Sequence, residues 1–404
     1  MILSFRYRLL PTKKQHRALE SILEAQRLLY NAALEERIDA YRKRGISRTY
    51  IDQTKSLTQW RQEDPEGRSL PANLQRATLK RLDMAYAGYF RRVKADEKPG
   101  FPRFRGKGRF RSFGFREFSG LTWKNGRLRF KGLPGALRVH LHRPLPADAV
   151  ITGCNFRRDI NGWFIGFVVA VKPAAERVGQ RSVGLDLGVN TFAALSDGGF
   201  IPSLKAARKA ERRLRVNQRA LSRKKNGSKG RSKARSEVGR CYAAIVRRRS
   251  DYLHQASSRL VRDYDVIAFE ALNVKGMART RLAKDIYDAS WTKFIAMLTY
   301  KAAKAGARVI AVNPMNTTQA CSACGDKVPK GRDTRWHVCV HCGLSIDRDL
   351  NAARNILDRA GVGPGLRNVA GCGMRAGEIL SPALQADSAR RWSESLPTSS
   401  RSTL

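Results

Sequence analysis

Residues 182–199 read SVGLDLGVNTFAALSDGG, and what surrounds them follows from how this stretch folds. Val183, Leu185, Leu187 and Val189 alternate with Gly184, Asp186, Gly188 and Asn190, the period of a strand with one apolar face. The whole stretch reads as a hairpin. An aspartate flanked by glycines on such a strand sits where a bulky phosphate or a hydrated ion can approach, because its neighbours on that face carry no side chains.

Downstream the texture is α/β. Residues 203–249 hold 18 Lys and Arg against only Glu211 and Glu237, in two helical halves separated by the tip NGSKGRSK. A charge run ordinarily marks a solvated face; one this one-sided is better suited to a phosphate backbone. A buried strand is expected over 265–270, ending on Glu270, then a helix over 291–305 and another strand over 308–312. In DRDLNAARNIL, residues 347–357, the i, i+4, i+7 spacing puts Asp349, Ala353 and Ile356 on one helix face and turns Asp349 toward the sheet. Asp347 reads as a first-turn acid favoured by the helix dipole. Taken singly, each of these acids has a bland explanation, such as capping a turn. Together, Asp186, Glu270 and Asp349 suit hard, oxygen-liganded divalent cations, and two ions about 4 Å apart can activate water and stabilise the leaving oxygen of a phosphodiester.

Between the last strand and that helix lie Cys321-x2-Cys324, fourteen residues, and Cys339-x2-Cys342, with Gly325 and Gly343 each directly after the second cysteine of a pair. Each pair can wrap one side of a tetrahedral Zn²⁺ ion, and the glycine lets the knuckle turn so that amides face the thiolates. Four thiolates complete a structural site, which excludes His337 and His341 as ligands and leaves no open position for a substrate. The remaining cysteines, Cys154, Cys241 and Cys372, read as small buried or idle thiols in a reducing compartment.

Upstream, residues 2–9 alternate apolar and basic side chains, a strand with one buried face. Thr12 and Gln15 have capping-box spacing, and helical periodicity follows through 12–95. The helices break at KPGFPRFRGKGRF, residues 98–110, where Phe101 and Phe104 alternate with Arg103 and Arg105. Such a loop can offer rings to bases and cations to phosphates, or it can anchor a core with its arginines solvated. Short alternating runs with Asn-Gly turns over 112–172 fit a β-barrel or a sandwich, completed by the first strand. Residues 361–404, rich in Gly, Ser, Arg and Pro without periodicity, are expected to be a disordered tail.

The 404 residues carry 78 Lys and Arg against 34 Asp and Glu, a formal charge of +44, for which nucleic acid is the natural counterion. There is no long apolar run, no secretory signal and no internal repeat, so a soluble, cytoplasmic and nucleoid-associated protein is expected.

These segments resemble the transposon-encoded TnpB (OrfB) proteins, relatives of the type V CRISPR effector nucleases. The matching pieces run in family order: FRYRLLPTKKQ, KPGFPRFR, GLDLGVNTFAALSDG, VIAFEALNV, NTTQACSACG with HVCVHCG, and DRDLNAARNI. The resemblance implies an N-terminal β-barrel over 1–11 and 96–178 with a helical recognition lobe inserted at 12–95. It implies next a split RNase H-like, RuvC-like nuclease domain over 179–315 and 345–360, with a zinc ribbon inserted at 316–344. Asp186, Glu270 and Asp349 match the three acids that hold catalytic Mg²⁺, two ions, with Mn²⁺ as a substitute. It implies a guide RNA made from the transposon end, a double-stranded target DNA found beside a short adjacent motif, a monomer, and a separate transposase for the cut-and-join chemistry. Tyr50 and Gln75 lie where motif-reading residues are expected. A nuclease-inactive RNA-guided DNA-binding regulator and a transposase in the strict sense are the alternative readings.

Overall fold

The computed structural model describes residues 1–177, 181–331 and 334–362, so the expected tail beyond residue 362 lies outside the described residues. The chain divides into two compact units, Met1–Lys172 and Pro173–Leu404.

In the first unit, strand β1 (Ile2–Leu10) buries Phe5, Tyr7 and Leu9 and exposes Arg6 and Arg8, as its alternation requires. Helix α1 (Lys13–Arg44) starts on the expected capping box: the Thr12 side chain accepts from the Gln15 amide, and Gln15 Oε1 accepts from the Thr12 amide. Helices α2 (Tyr50–Glu63) and α3 (Ala72–Lys94) follow. Six further strands complete a sheet: β2 (Ser112–Phe115), β3 (Leu121–Lys124), β4 (Arg127–Phe130), β5 (Leu137–His140), β6 (Val150–Asp159) and β7 (Gly162–Ala170).

Their order is β2-β6-β7-β1-β5-β4-β3, with the pairs along it antiparallel. The expected β-barrel or sandwich takes the form of a curled half-barrel sheet, whose ladder ends at β2 and β3 among the described residues. Helix α3 covers the β2 edge, where the Arg81 guanidinium donates to the Ser112 carbonyl at 2.6 Å and occupies an acceptor that another strand would otherwise seek. Residues 12–95 do not form a separate core: Leu19, Leu34, Leu74 and Leu82 of the helices share one apolar cluster with Tyr7, Phe156 and Phe167 of the sheet.

The second unit is built on β8 (Ser182–Leu187), β9 (Thr191–Leu195), β10 (Phe200–Pro202), β11 (Val266–Glu270) and β12 (Arg308–Val312), ordered β10-β9-β8-β11-β12. Strands β8 and β9 pair antiparallel, the expected hairpin, whereas β8, β11 and β12 run parallel. Parallel neighbours need crossovers. The first contains the basic pair α4 (Ala206–Ser222) and α5 (Lys229–Asp263), followed after β11 by short helices α6 (Val274–Met277) and α7 (Ala283–Ala289) and by α8 (Trp291–Ala305). The separating tip is shorter than expected, because Ser228 caps α5 through the Arg231 amide and draws KGRSK into that helix. A two-stranded ribbon, β13 (Trp336–Val338) with β14 (Ser345–Asp347), precedes the last described helix, α9 (Arg348–Arg359).

Candidate active site and cysteine metal centre

Strand register fixes the first two acids. Leu185 lies beside Phe269 in the parallel β8–β11 pair, and continuing that register sets Asp186 level with Glu270, at the carboxyl ends of adjacent strands. Neighbours in register point to the same face, with strands about 4.8 Å apart. The third acid arrives by helix packing. Gly184 is on the Asp186 face, and a Cβ built there would fall 2.1 Å from the Ala353 carbonyl oxygen and 2.9 Å from the Leu357 amide. Its missing side chain thus makes room for the backbone of α9, which corrects the reading that this glycine opens space for a phosphate. Asp349 stands one helical turn before Ala353 and Asp186 two residues beyond Gly184, so the close approach that seats the helix also draws the two acids together. Ala353 and Ile356 are fully buried, as expected for the sheet-facing side of α9.

The charges record the convergence. Burial, followed by repulsion from Glu270 and then Asp349, pushes the half-buried Asp186 carboxyl up to about 8, against an opposing pull from Arg348. Burial also raises Glu270, which is 6% exposed; the Thr317 hydroxyl on its Oε1 and the nearby Arg359 draw it back. Asp349 is flanked by Arg335 at 3.7 Å and Arg348 at 3.8 Å. Asp347 is better described as the N-cap of α9 than as a first-turn acid, because its Oδ1 accepts from the amides of Asp349 at 2.9 Å and Leu350 at 3.1 Å. Three converging carboxylates, of which burial holds Asp186 and Glu270 back from ionising, are the donor chemistry that a hard divalent cation relieves, so these residues fit Mg²⁺.

The cysteines meet as their spacing requires. Among the described residues, the Sγ atoms of Cys321, Cys324, Cys339 and Cys342 lie within 4.8 Å of one another. Cys321 and Cys342, like Cys324 and Cys339, are 3.6 Å apart. That is far beyond a disulfide bond of about 2.05 Å and close to the edge, about 3.8 Å, of a tetrahedron with 2.3 Å zinc–sulfur bonds. Gly325 and Gly343 have φ of +85° and +73°, and their amides turn back to the carbonyls of Cys321 and Cys339. The geometry fits one Zn²⁺.

Three residues of this region were not singled out by sequence. Asn351 Nδ2 donates to the Ala320 carbonyl at 2.7 Å and its Oδ1 accepts from the Ser322 amide at 2.9 Å. Asn355 Nδ2 donates to the carbonyls of Thr317 at 2.8 Å and Ala320 at 2.7 Å. The first knuckle is thereby laced to α9, and Thr317 to both α9 and Glu270. The only advance signal was the i, i+4 pair of asparagines, which alone is ordinary in a helix.

The expected nucleic-acid contacts separate into two groups. Phe104 is 54% exposed, Arg103 is exposed, and Phe101 is exposed with its ring edge-on to Tyr86 and Tyr89. Tyr50 is half-buried under the Lys80 ammonium. Arg105 instead docks inward: its backbone binds Asn31 and Arg27, and its guanidinium sits 5.6 Å from the Tyr30 ring centre. Gln75 is 3% exposed, with its amide engaged by Arg61 and the Gly67 carbonyl, so it presents nothing to a ligand. In α4 Ala206 is buried, Ala210, Leu214 and Leu221 form a half-buried stripe, and Arg208, Arg212, Arg215 and Arg219 are exposed, so the helix offers one cationic face.

Three family models match the chain: "Probable transposase" over residues 167–281, "Cas12f1-like, TNB domain" over 291–356 and "Helix-turn-helix domain" over 1–45. In this chain residues 1–45 form β1 and α1. A protein of Streptomyces pristinaespiralis named "Putative RNA-guided DNA endonuclease" is 34% identical, covering 88% of each chain. InsQ of Escherichia coli K12, with the same description, is 27% identical over 88% of this chain and 91% of its own. A Cas12f1 chain, solved in a complex with guide RNA and target DNA, shares the fold at a TM-score of 0.56 and 12% identity, covering 87% of this chain and 83% of that one. Sequence identity sustained over nearly the whole length of a relative leaves one conclusion: the chain belongs to the TnpB (OrfB) family.

Proposed function

We propose that this protein is an RNA-guided DNA endonuclease that cuts target DNA beside a short transposon-adjacent motif, with Asp186, Glu270 and Asp349 as the catalytic acids of a RuvC-like site. The observation that carries this reading is the parallel register that sets Asp186 level with Glu270, on the strand face against which α9 brings Asp349. Divalent cations bound there, two Mg²⁺ or their Mn²⁺ substitutes, would supply Lewis-acid charge and an activated water for phosphodiester hydrolysis. The chain's own part is to hold the acids. Asp186 feels the charge of both other acids and is the natural shared ligand. Glu270 is pinned through Thr317, and Asp349 is fixed to its helix by the Asp347 cap. The zinc site braces the segment ahead of α9 and takes no part in bond breaking.

The basic α4–α5 pair, the exposed Phe101-Arg103-Phe104 loop and Tyr50 are proposed to face nucleic acid; Gln75 is withdrawn from that set. The proposed partners are a guide RNA from the transposon end and a double-stranded target, with strand joining left to a separate transposase. Proteins named as RNA-guided endonucleases among the relatives, and the RNA- and DNA-bound Cas12f1 neighbour, support this choice. The test is to purify the protein with its co-expressed RNA and add Mg²⁺ and plasmids bearing a guide-matched target beside randomised flanks. Cleavage confined to one flank class is expected. Tight RNA-directed binding without cleavage would establish the regulator, and unaided joining of transposon ends the strict transposase.

A further inference from the structure

We propose that Thr317 is a positioning residue for Glu270: its buried hydroxyl fixes Oε1 of that carboxylate and leaves the other oxygen for a divalent cation, while Asn355 ties Thr317 to the helix that carries Asp349. The inference rests on the assignment of Glu270 as an acid of the active site.

Thr317 is 2% exposed. Valine would fill the same volume without the cost of burying a hydroxyl, so the polar group there is explained by what it faces. The hydroxyl reaches Glu270 Oε1, and the Pro314 carbonyl lies 3.1 Å away on the other side. One proton serves one acceptor at a time, and the charge-assisted bond to an ionised carboxylate is the stronger. The Thr317 carbonyl accepts from Asn355 Nδ2 at 2.8 Å, and the same amide donates to Ala320 at 2.7 Å. Asn355 is itself buried, at 7% exposure, so both of its amide hydrogens are committed to the segment that leads into the first cysteine knuckle. A continuous path therefore runs from the acid on β11 through Thr317 and Asn355 to the helix of the acid at Asp349. Two carboxylates from segments far apart in sequence are held to one another by protein bonds before any cation arrives, which is the pre-organisation a metal site needs.

The experiment uses full-length protein loaded with its co-expressed RNA, as Thr317→Val, Thr317→Ser and Asn355→Ala, with Asp186→Ala as the reference. Mn²⁺ binding is followed by electron paramagnetic resonance, beside cleavage rate, target-DNA binding and thermal midpoint. Thr317→Val is expected to weaken Mn²⁺ binding and slow cleavage by about tenfold or more, the usual weight of a hydrogen bond to a charged group, while target binding is retained. Thr317→Ser, which keeps the hydroxyl, should restore both. Asn355→Ala should weaken Mn²⁺ binding in the same direction, and it decides the matter alone if Thr317→Val does not fold. Wild-type Mn²⁺ affinity in Thr317→Val, or in Asn355→Ala when the valine variant is unfolded, overturns the inference. So does a Thr317→Ser variant as defective as Thr317→Val. If Asp186→Ala is inactive and Thr317→Val is normal, only this inference falls; if Asp186→Ala cuts like wild type, the acidic site itself is misassigned.

Discussion

Asp186 and Gly184 each carry a consequence at the scale of single residues. The Asp186 carboxyl is raised to about 8 in the folded protein by burial and by the two other acids, against about 3.9 in an unfolded chain. The folded state therefore binds the proton more tightly, and without added divalent cation this group's contribution to stability is present below about pH 4 and is lost as pH rises toward 8. Thermal melts are expected to show a steeper loss of stability between pH 5 and 8 in wild type than in Asp186→Asn, which mimics the protonated form at every pH. Added Mg²⁺ should reverse the difference most strongly near pH 8. Equal pH slopes for the two proteins would show that the acids are not coupled. Gly184 makes the second case. A methyl group there would press on the Ala353 carbonyl, a backbone atom that cannot swing aside. Gly184→Ala should cost about 1–3 kcal/mol in denaturant unfolding, as overpacking does, and should abolish cleavage; a variant of wild-type stability would contradict the account of how α9 is seated.

At the scale of elements, α9 depends on the ribbon before it. The Asp347 cap belongs to both β14 and α9, and Asn351 and Asn355 bind the backbone of the first knuckle. Cys324→Ser is expected to lower zinc content from one ion per chain, measured by native mass spectrometry, and to raise amide hydrogen exchange in α9. Full zinc occupancy, or a protected α9 in zinc-free protein, would contradict the bracing role. Most of these elements were legible in the sequence because local pattern determines them. Residues 2–9 and the helices within 12–95 and at 291–305 carry a clear period, the strand at 308–312 is a short apolar run, and Thr12 with Gln15 marks a start by its own hydrogen bonds. The non-local facts were not legible. Gly184 looked like space for a substrate because nothing in its neighbourhood announces that Ala353, far along the chain, would fill it. Thr317 and Asn355 show no meaning until β11 and α9 are brought together, and Gln75 is polar in sequence but buried by Arg61. The extent of the curled sheet was not legible for a similar reason: alternation identifies strands but not which edges meet, and Arg81 of α3 lies on the β2 edge.

For the molecule as a whole, charge dominates. A formal +44 is carried by a chain whose α4–α5 pair leaves most of its cations exposed, and no described helix is long and apolar enough to cross a membrane. Binding to nucleic acid should therefore depend steeply on salt. Between 50 and 200 mM NaCl the affinity for RNA, measured by filter binding, is expected to fall by about a thousandfold or more, as counterion release from several phosphates requires. A shallow dependence would mean that the basic surface is not the interface. The central claim is that the three acids, gathered by register and by the seating of α9, cut the DNA that the guide selects. Its most direct test is the rate of Mg²⁺-dependent cleavage of a guide-matched plasmid by wild type and by Asp186→Ala, each loaded with the same RNA and each shown to bind the target. The account predicts cleavage by wild type and none by the variant at equal target binding; cleavage by Asp186→Ala at the wild-type rate would contradict it.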